Sequence, residues 1–486
     1  MKTEDIKKRL LLIIPPQKGL LKGFATGIVS LAEYLALKKN EIDVEVEILD
    51  YSLCSPEEVK INSLNYSNIK NLIVGITTTT ASYQSALYVA KNFKRSNPEC
   101  IVIFGGHHAS ADPNHILKNH KTTIDFIITG EGEVALYTFI KNFPDISDVP
   151  NLIYLKDEEV IRNETASYLT IDELDCLSLS YKETELYGHP GKFDTITYVS
   201  ARGCPLRCSF CAVSNEKMRA KSAHKVKEDI KKLVEFGFDT IAIEDNFFAH
   251  SPTRTKEVCE ELQSLLSDGY NFKWDCQTRV ESLKNPETIK MMEAAGCYAV
   301  YIGVEALNAE HLIYLGKARN PVRYLQLLYN DVLPALFKTK TDCYINLQLG
   351  IPNINATIIK ENFNSLRLIG EMAFKAGKLV TVFPQLHVVY PGTKHYFDGI
   401  SEGRFSPDVF EHFTEWEARQ NNLYGWLGEN FAHGTGGIPE GILYKEKLKE
   451  NTFETESEKI LEIQNQLSEI RRIKGINVFE YKPFLV

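Results

Sequence analysis

From Leu10 to about Phe143, short apolar runs alternate with stretches whose apolar positions recur at helical spacing. The runs Leu10–Ile14, Val44–Leu49, Leu72–Ile76, Cys100–Phe104 and Asp125–Ile128 have the length and β-branched content of buried strands. Between them the 3.6-residue period predicts helices at Ile28–Lys39, Tyr83–Lys94 and Pro113–Asn119, with another after Glu133. Strands that alternate with helices predict an α/β unit over residues 1–145, a doubly wound parallel sheet. Sheets of this kind bind ligands beyond the carboxyl ends of their strands.

The segments at those strand ends are Pro15-Pro16, Thr77–Thr80, Gly105-Gly106-His107-His108 and Gly130-Glu131-Gly132-Glu133. Residues without bulk let backbone come close to a ligand. A tight turn explains any one of these loops, but four on one edge suggest a large, flat or extended ligand.

Residues 146–192 lose the periodicity and read as a linker. A second series of strands follows at Thr195–Ser200, Thr240–Glu244, Phe272–Cys276, Ala299–Gly303, Cys343–Leu349 and Leu379–Leu386. Helical stretches at Ala223–Phe236, Arg254–Leu266, Pro286–Ala295, Pro321–Phe337 and Ala356–Ala376 separate them. Six βα units predict a partial parallel (β/α)6 barrel over residues 193–394, with its chemistry at the strand carboxyl ends. The remainder, residues 395–486, is mainly helical and polar. It reads as a packed cap, in which Trp416, Trp426 and Gly434-Thr435-Gly436-Gly437 could close the barrel mouth.

Composition narrows the class. With 486 residues, 44% hydrophobic and 24% charged, the chain can bury more than one core. A net charge of -9 without a basic stripe argues against nucleic acid as a partner. The apolar run Leu10–Ile14 is too short for a targeting segment and stops at two prolines, and no stretch is long enough to span a membrane. The expected location is the cytoplasm, where reducing conditions disfavour disulfides. Cys54, Cys100, Cys176, Cys259, Cys276, Cys297 and Cys343 then read as small hydrophobic residues.

The other three cysteines stand apart. Arg202-Gly203-Cys204-Pro205-Leu206-Arg207-Cys208-Ser209-Phe210-Cys211 places Cys204, Cys208 and Cys211 at Cys-x3-Cys-x2-Cys spacing, directly after a strand. Three thiolates can hold a 4Fe-4S cube and leave one iron open, whereas structural zinc usually draws a fourth Cys or His.

This loop resembles that of the radical SAM superfamily, and the likeness continues along the barrel. Glu244-Asp245-Asn246-Phe247, Gln277-Thr278-Arg279, Gly303-Val304-Glu305, Gly350-Ile351-Pro352 and Tyr390-Pro391-Gly392-Thr393 are similar, in order and register, to the branch carrying an N-terminal cobalamin-binding domain. The resemblance implies S-adenosylmethionine (SAM) on the open iron, with Phe210, Glu244, Asp245, Asn246, Gln277, Arg279, Glu305 and Gly350 around it. It implies cobalamin against Pro16, Thr77, Thr78, Gly105, Gly106, His107, Gly130, Glu131 and Gly132. The Asp-x-His-x-x-Gly signature that supplies a lower axial His elsewhere is absent, so the lower cobalt face has no assigned ligand.

The implied activity is methyl transfer to an unactivated carbon of a small molecule through a 5'-deoxyadenosyl radical, with an electron donor such as flavodoxin or ferredoxin. Rearrangement, ring formation or other redox chemistry on the same cofactors is the second reading, and a non-catalytic cobalamin or iron-sulfur carrier the third. A methylthiotransferase acting on tRNA fits less well, because the N-terminal unit offers only Cys54 and Cys100 for a further cluster.

Overall fold

The computed structural model describes residues 7–16, 26–52, 54–164, 168–177, 195–352, 355–404, 406–411 and 456–479. The first apolar runs form β1 (Lys8–Ile14), β2 (Val44–Asp50), β3 (Leu72–Thr77), β4 (Ile101–Gly105) and β5 (Phe126–Ile128). They pair in parallel in the order β2-β1-β3-β4-β5. Continuity of the apolar run in β1 follows from burial on both faces: Leu11 and Ile13 enter one core, Leu10 and Leu12 the other.

The stretch expected to be a linker extends this sheet. β6 (Leu152–Lys156) and β7 (Glu159–Arg162) add antiparallel to β5 as a hairpin. A helix at Pro56–Leu64 also escaped the periodicity, being nearly without amphipathic contrast. Its signal is a capping box, in which Ser55 accepts from the Glu58 N–H and the Glu58 carboxylate accepts from the Ser55 N–H.

The second series gives β8 (Ile196–Tyr198), a two-residue ladder of β9 (Ala201–Arg202) and β10 (Arg219–Ala220), then β11 (Thr240–Ile243), β12 (Lys273–Thr278), β13 (Cys297–Glu305), β14 (Asp342–Leu349) and β15 (Val380–Leu386). The barrel sheet runs β8-β11-β12-β13-β14-β15 with every pair parallel. Its core is anchored by the fully buried Trp274, whose indole N–H donates to the Ala295 carbonyl at 2.7 Å. The helix expected across Pro321–Phe337 changes to a π turn at Leu328–Val332. Pro334 lacks an N–H and crowds the preceding turn, which a widened turn relieves.

The C-terminal region differs from a simple helical cap. β16 (Ile476–Val478) joins the barrel sheet beside β15, in parallel. Residues just after the barrel turn back onto the first domain: Tyr396 and Phe410 belong to its core, and Tyr83 donates to the Glu411 carboxylate at 2.8 Å. Trp416, Trp426 and the Gly434–Gly437 segment lie outside the described residues. Among the isolated cysteines Cys176 is exposed, so the expectation of burial fails there.

The helix Ala356–Lys375 reaches β16 by backbone contact at Gly370, where an added Cβ would collide with the Lys474 carbonyl oxygen and stand 2.8 Å from Ile473 Cγ2. Gly370→Ala should therefore lower stability by about 1–3 kcal/mol. An unchanged urea midpoint would show that this crossing has slack.

Candidate active site at the domain junction

The cysteine loop is closed at its neck by β9 and β10, where Arg202 stands opposite Arg219. Gly203 takes φ +81°, and a side chain there would run into the Lys217 carbonyl, so this turn needs glycine. Inside the loop the Glu216 N–H donates to the Cys204 carbonyl at 2.8 Å and the Asn215 N–H to the Leu206 carbonyl at 2.6 Å. The Ser209 N–H reaches across to Leu315 at 2.9 Å and ties the loop to the barrel.

Two cations, Arg279 and Lys317, act on the thiols. Arg279 lies 3.5 Å from Cys208 Sγ through Nη1 and donates from Nη2 to the Lys317 carbonyl at 2.6 Å. Burial raises the Cys204 thiol and pushes Cys211 up to about 11, so both stay protonated until a cation draws off the proton. Among the described residues, no three His, Cys, Asp or Glu side chains gather around a single-ion position. The Cys-x3-Cys-x2-Cys spacing in the sequence suits a cube, which takes each thiolate on a different iron. Phe210 is partly buried against the barrel core.

A cavity of about 960 Å³ lies between the carboxyl edge of the first sheet and this loop. One side is formed by Thr77, Gly105, Gly106, His107, Gly130, Glu131 and Gly132, and the floor by Leu12, Ile14, Gly75 and Ile103. The other side brings Arg202, Gly203, Ala212, Val213, Glu244 and Asn246. The cradle fits a large, flat ligand. Gly106 has φ +90° and its missing Cβ would meet Thr78 backbone at 2.5 Å, while a Cβ at Gly132 would sit 3.1 Å from Leu31.

Several expected contacts are engaged elsewhere. Thr78 is fully buried, donating from Oγ1 to the Gly105 carbonyl at 2.7 Å and accepting from the Ala109 N–H at 3.0 Å, so it holds the loop and does not line the cavity. Pro16 is likewise not among the lining residues. Asp245 is buried and accepts from the N–H groups of Ser200 and Ala201 at 2.6 and 2.8 Å and from the Ser200 hydroxyl at 2.5 Å. Its carboxylate therefore fixes the approach to the neck and has no oxygen turned to a cofactor.

Of the glycine-rich motif, Glu131 accepts a two-pronged hydrogen bond from Arg219 at 2.6 and 2.8 Å, and Glu133 accepts from Arg202 at 2.8 Å. Burial would raise the Glu131 carboxyl, but the Arg219 hydrogen bonds and the nearby Arg202 charge outweigh it and leave it below the usual range. His107 faces the cavity, whereas its neighbour His108 is buried with Nδ1 3.3 Å from the Thr80 hydroxyl.

Of the remaining barrel positions, Gln277 donates to Glu244 at 2.8 Å, and burial raises the Glu244 carboxyl. Glu305, in left-handed backbone at φ 71°, pairs with Lys317 at 3.4 Å and accepts from Gln348 at 2.9 Å. A Cβ at Gly303 would stand 2.7 Å from Glu305 Oε1 and 2.9 Å from Lys317 Nζ and displace that pair. Gly350 turns the chain at φ 72° after β14.

Residues 22–140 match the B12 binding domain family and residues 198–330 the radical SAM superfamily, in the order of the two sheets. The chain belongs to the radical SAM superfamily, in the branch with a B12-binding domain. This radical SAM enzyme is 26% identical to an uncharacterised methyltransferase of Pyrococcus horikoshii, over 64% of this chain and 69% of that one. It is 30% identical to the anaerobic magnesium-protoporphyrin IX monomethyl ester cyclase of Cereibacter sphaeroides, over 48% of this chain but only 40% of the cyclase.

Among solved structures, the fold is similar to the radical SAM methyltransferase TsrM from Kitasatospora setae with cobalamin and a 4Fe-4S cluster bound. The TM-score is 0.67 at 16% identity, covering 82% of this chain and 76% of that one. The cofactors of this superfamily branch are accordingly the 4Fe-4S cluster, SAM and cobalamin. No helix among the described residues is long and apolar enough to cross a membrane.

The two adjacent carboxylates should separate cleanly on substitution. Asp245→Ala strands three buried donors and should destabilise the protein by roughly 1–3 kcal/mol. Glu244→Gln should leave the unfolding midpoint unchanged while weakening SAM binding in equilibrium dialysis. Equal stability losses in both variants would mean that Glu244 is only structural.

Proposed function

We propose that this protein is a cobalamin-dependent radical SAM methyltransferase acting on an unactivated carbon of a small molecule, in the cytoplasm, with electrons from a donor such as flavodoxin or ferredoxin. The observation that carries the reading is the shared cavity, whose wall joins the glycine loops of the first sheet to the residues flanking the three cysteines. When bound, the cluster with SAM supplies a 5'-deoxyadenosyl radical that takes hydrogen from such a carbon, and cobalamin supplies the methyl group.

The chain's own part is to hold, orient and shield. Cys204, Cys208 and Cys211 would hold the cluster, with Arg279 beside Cys208 to offset thiolate charge. Glu244, Asn246 and Gln277 offer a carboxylate and two amides at adjoining strand ends, suited to the ammonium and hydroxyl groups of SAM. Gly105, Gly106, Gly130 and Gly132 would let backbone approach the corrin, and Leu12, Ile14 and Ile103 present an apolar floor that excludes water. Ring formation on the same cofactors is the second reading, favoured by the 30% identity with the cyclase.

The test is anaerobic reconstitution followed by incubation of cell metabolites with SAM carrying a deuterated methyl group. A product bearing the label, together with 5'-deoxyadenosine, is the expected result. Replacing Cys204, Cys208 or Cys211 with Ala should abolish both. A product of altered mass without the label would replace methyl transfer by the second reading.

A further inference from the structure

The ladder at the neck of the cysteine loop sets two guanidinium groups directly opposite one another, Arg202 on β9 and Arg219 on β10. Like charges facing across strands repel. The repulsion is removed by an acid from the other domain, since Glu131 lies 3.3 Å from Arg202 and 2.6 Å from Arg219. Arg202 is further fixed by Glu133 at 2.8 Å and by the Ser30 hydroxyl at 2.7 Å, both from the first domain. Arg219 is 5% exposed, and beyond its fork on Glu131 it donates to the Leu169 carbonyl at 3.2 Å and stacks 4.4 Å from the Tyr168 ring. It does not line the cavity.

The same Glu131 belongs to the loop that edges the cavity, and Arg202 directly precedes Gly203 and Cys204. One ion cluster thus joins the loop beside the corrin cradle to the neck of the cluster loop. Resting on the reading given above, we infer that Arg219 is a positioning residue: its bidentate hold on Glu131 sets the register between the two cofactor sites. Radical formation needs only the barrel side. Methyl transfer needs both sides at a fixed separation, and a shift of about 1 Å can cost on the order of a hundredfold in rate. Loosening Arg219 therefore uncouples the two.

The experiment uses the full-length, anaerobically reconstituted enzyme as wild type, Arg219→Lys and Arg219→Gln. Iron content, bound corrin absorption, 5'-deoxyadenosine formed and product methylated are followed together, with hydrogen exchange at the peptide level. The expected result is normal iron and corrin, 5'-deoxyadenosine formation within about threefold of wild type, and a methylation yield per cleavage that falls tenfold or more in Arg219→Gln. Arg219→Lys keeps the charge but not the fork, and should fall between. Exchange should quicken by about tenfold in peptides covering residues 201–220 and 130–133, and stay unchanged in β12 to β14.

An unchanged yield per cleavage in both variants overturns the inference, as does unaltered exchange at the neck. Equal loss of cleavage and methylation in Arg219→Lys with full iron also overturns it, making Arg219 a general support of the barrel. Should wild type cleave SAM without methylating anything, the methyltransferase reading fails. The exchange pattern then decides the positioning role alone.

Discussion

Two positive charges that would otherwise repel hold the cofactor-binding architecture in place. A ladder of two residue pairs has little stability of its own, and Arg202 against Arg219 weakens it further. It closes because carboxylates arrive from outside: Glu131 between the two guanidiniums and Glu133 on Arg202. Glu131 sits on the loop that follows β5 of the first sheet, and Glu133 opens the helix after it. The charge at the neck of the loop bearing the three cysteines is consequently balanced by the first domain. Buried ion pairs of this kind contribute little net stability but penalise every other arrangement strongly, because any shift strands a charge.

The strands were legible because each records its environment locally. Parallel strands covered on both faces are continuously apolar over their whole length, as in Leu10–Ile13, and no tertiary information is needed to read them. The cysteines were legible for the same reason, their ligand spacing fitting within eight residues of chain. The inter-domain ion cluster was not. Glu131 and Arg219 are 88 residues apart, and nothing local marks either as the other's partner. Asp245 and Thr78 misled in the opposite sense, since each stands within a motif yet turns into the protein to satisfy buried N–H groups or to donate to a carbonyl. Of the hairpin, β6 is apolar but only five residues long, and β7 is charged at both ends without a buried residue, which an antiparallel edge tolerates and a buried strand does not.

Charge is distributed by task across an acidic protein. The buried thiols meet backbone N–H groups and the charges of Arg279 and Lys317, which ease removal of their protons. Lys317 is itself tethered to Glu305, and Glu305 to Gln348, whose amide oxygen accepts from His387 at 2.6 Å. Burial holds His387 well below the usual imidazole range, so it stays neutral and can donate from Nδ1 without adding charge to the chain of contacts. Lys317 thereby rests on a buried, packed support, whereas Arg279, the cation 3.5 Å from Cys208 Sγ, pairs with the half-exposed Glu281 at 3.1 Å.

The motif Gly130-Glu131-Gly132-Glu133 shows how one short segment can serve two domains. Its glycines fit where they stand: Gly130 adopts φ +65°, and a methyl group at Gly132 would crowd the Leu31 side chain at 3.1 Å. They give the loop a surface on the cavity that backbone alone can present. Its two acids border the same cavity and reach the arginines of the cluster loop. A lone acid at one of these positions would support a surface loop with no consequence. Two acids alternating with two glycines make the geometry of one cofactor site depend on the geometry of the other, which is the requirement that a reaction using both cofactors places on its protein.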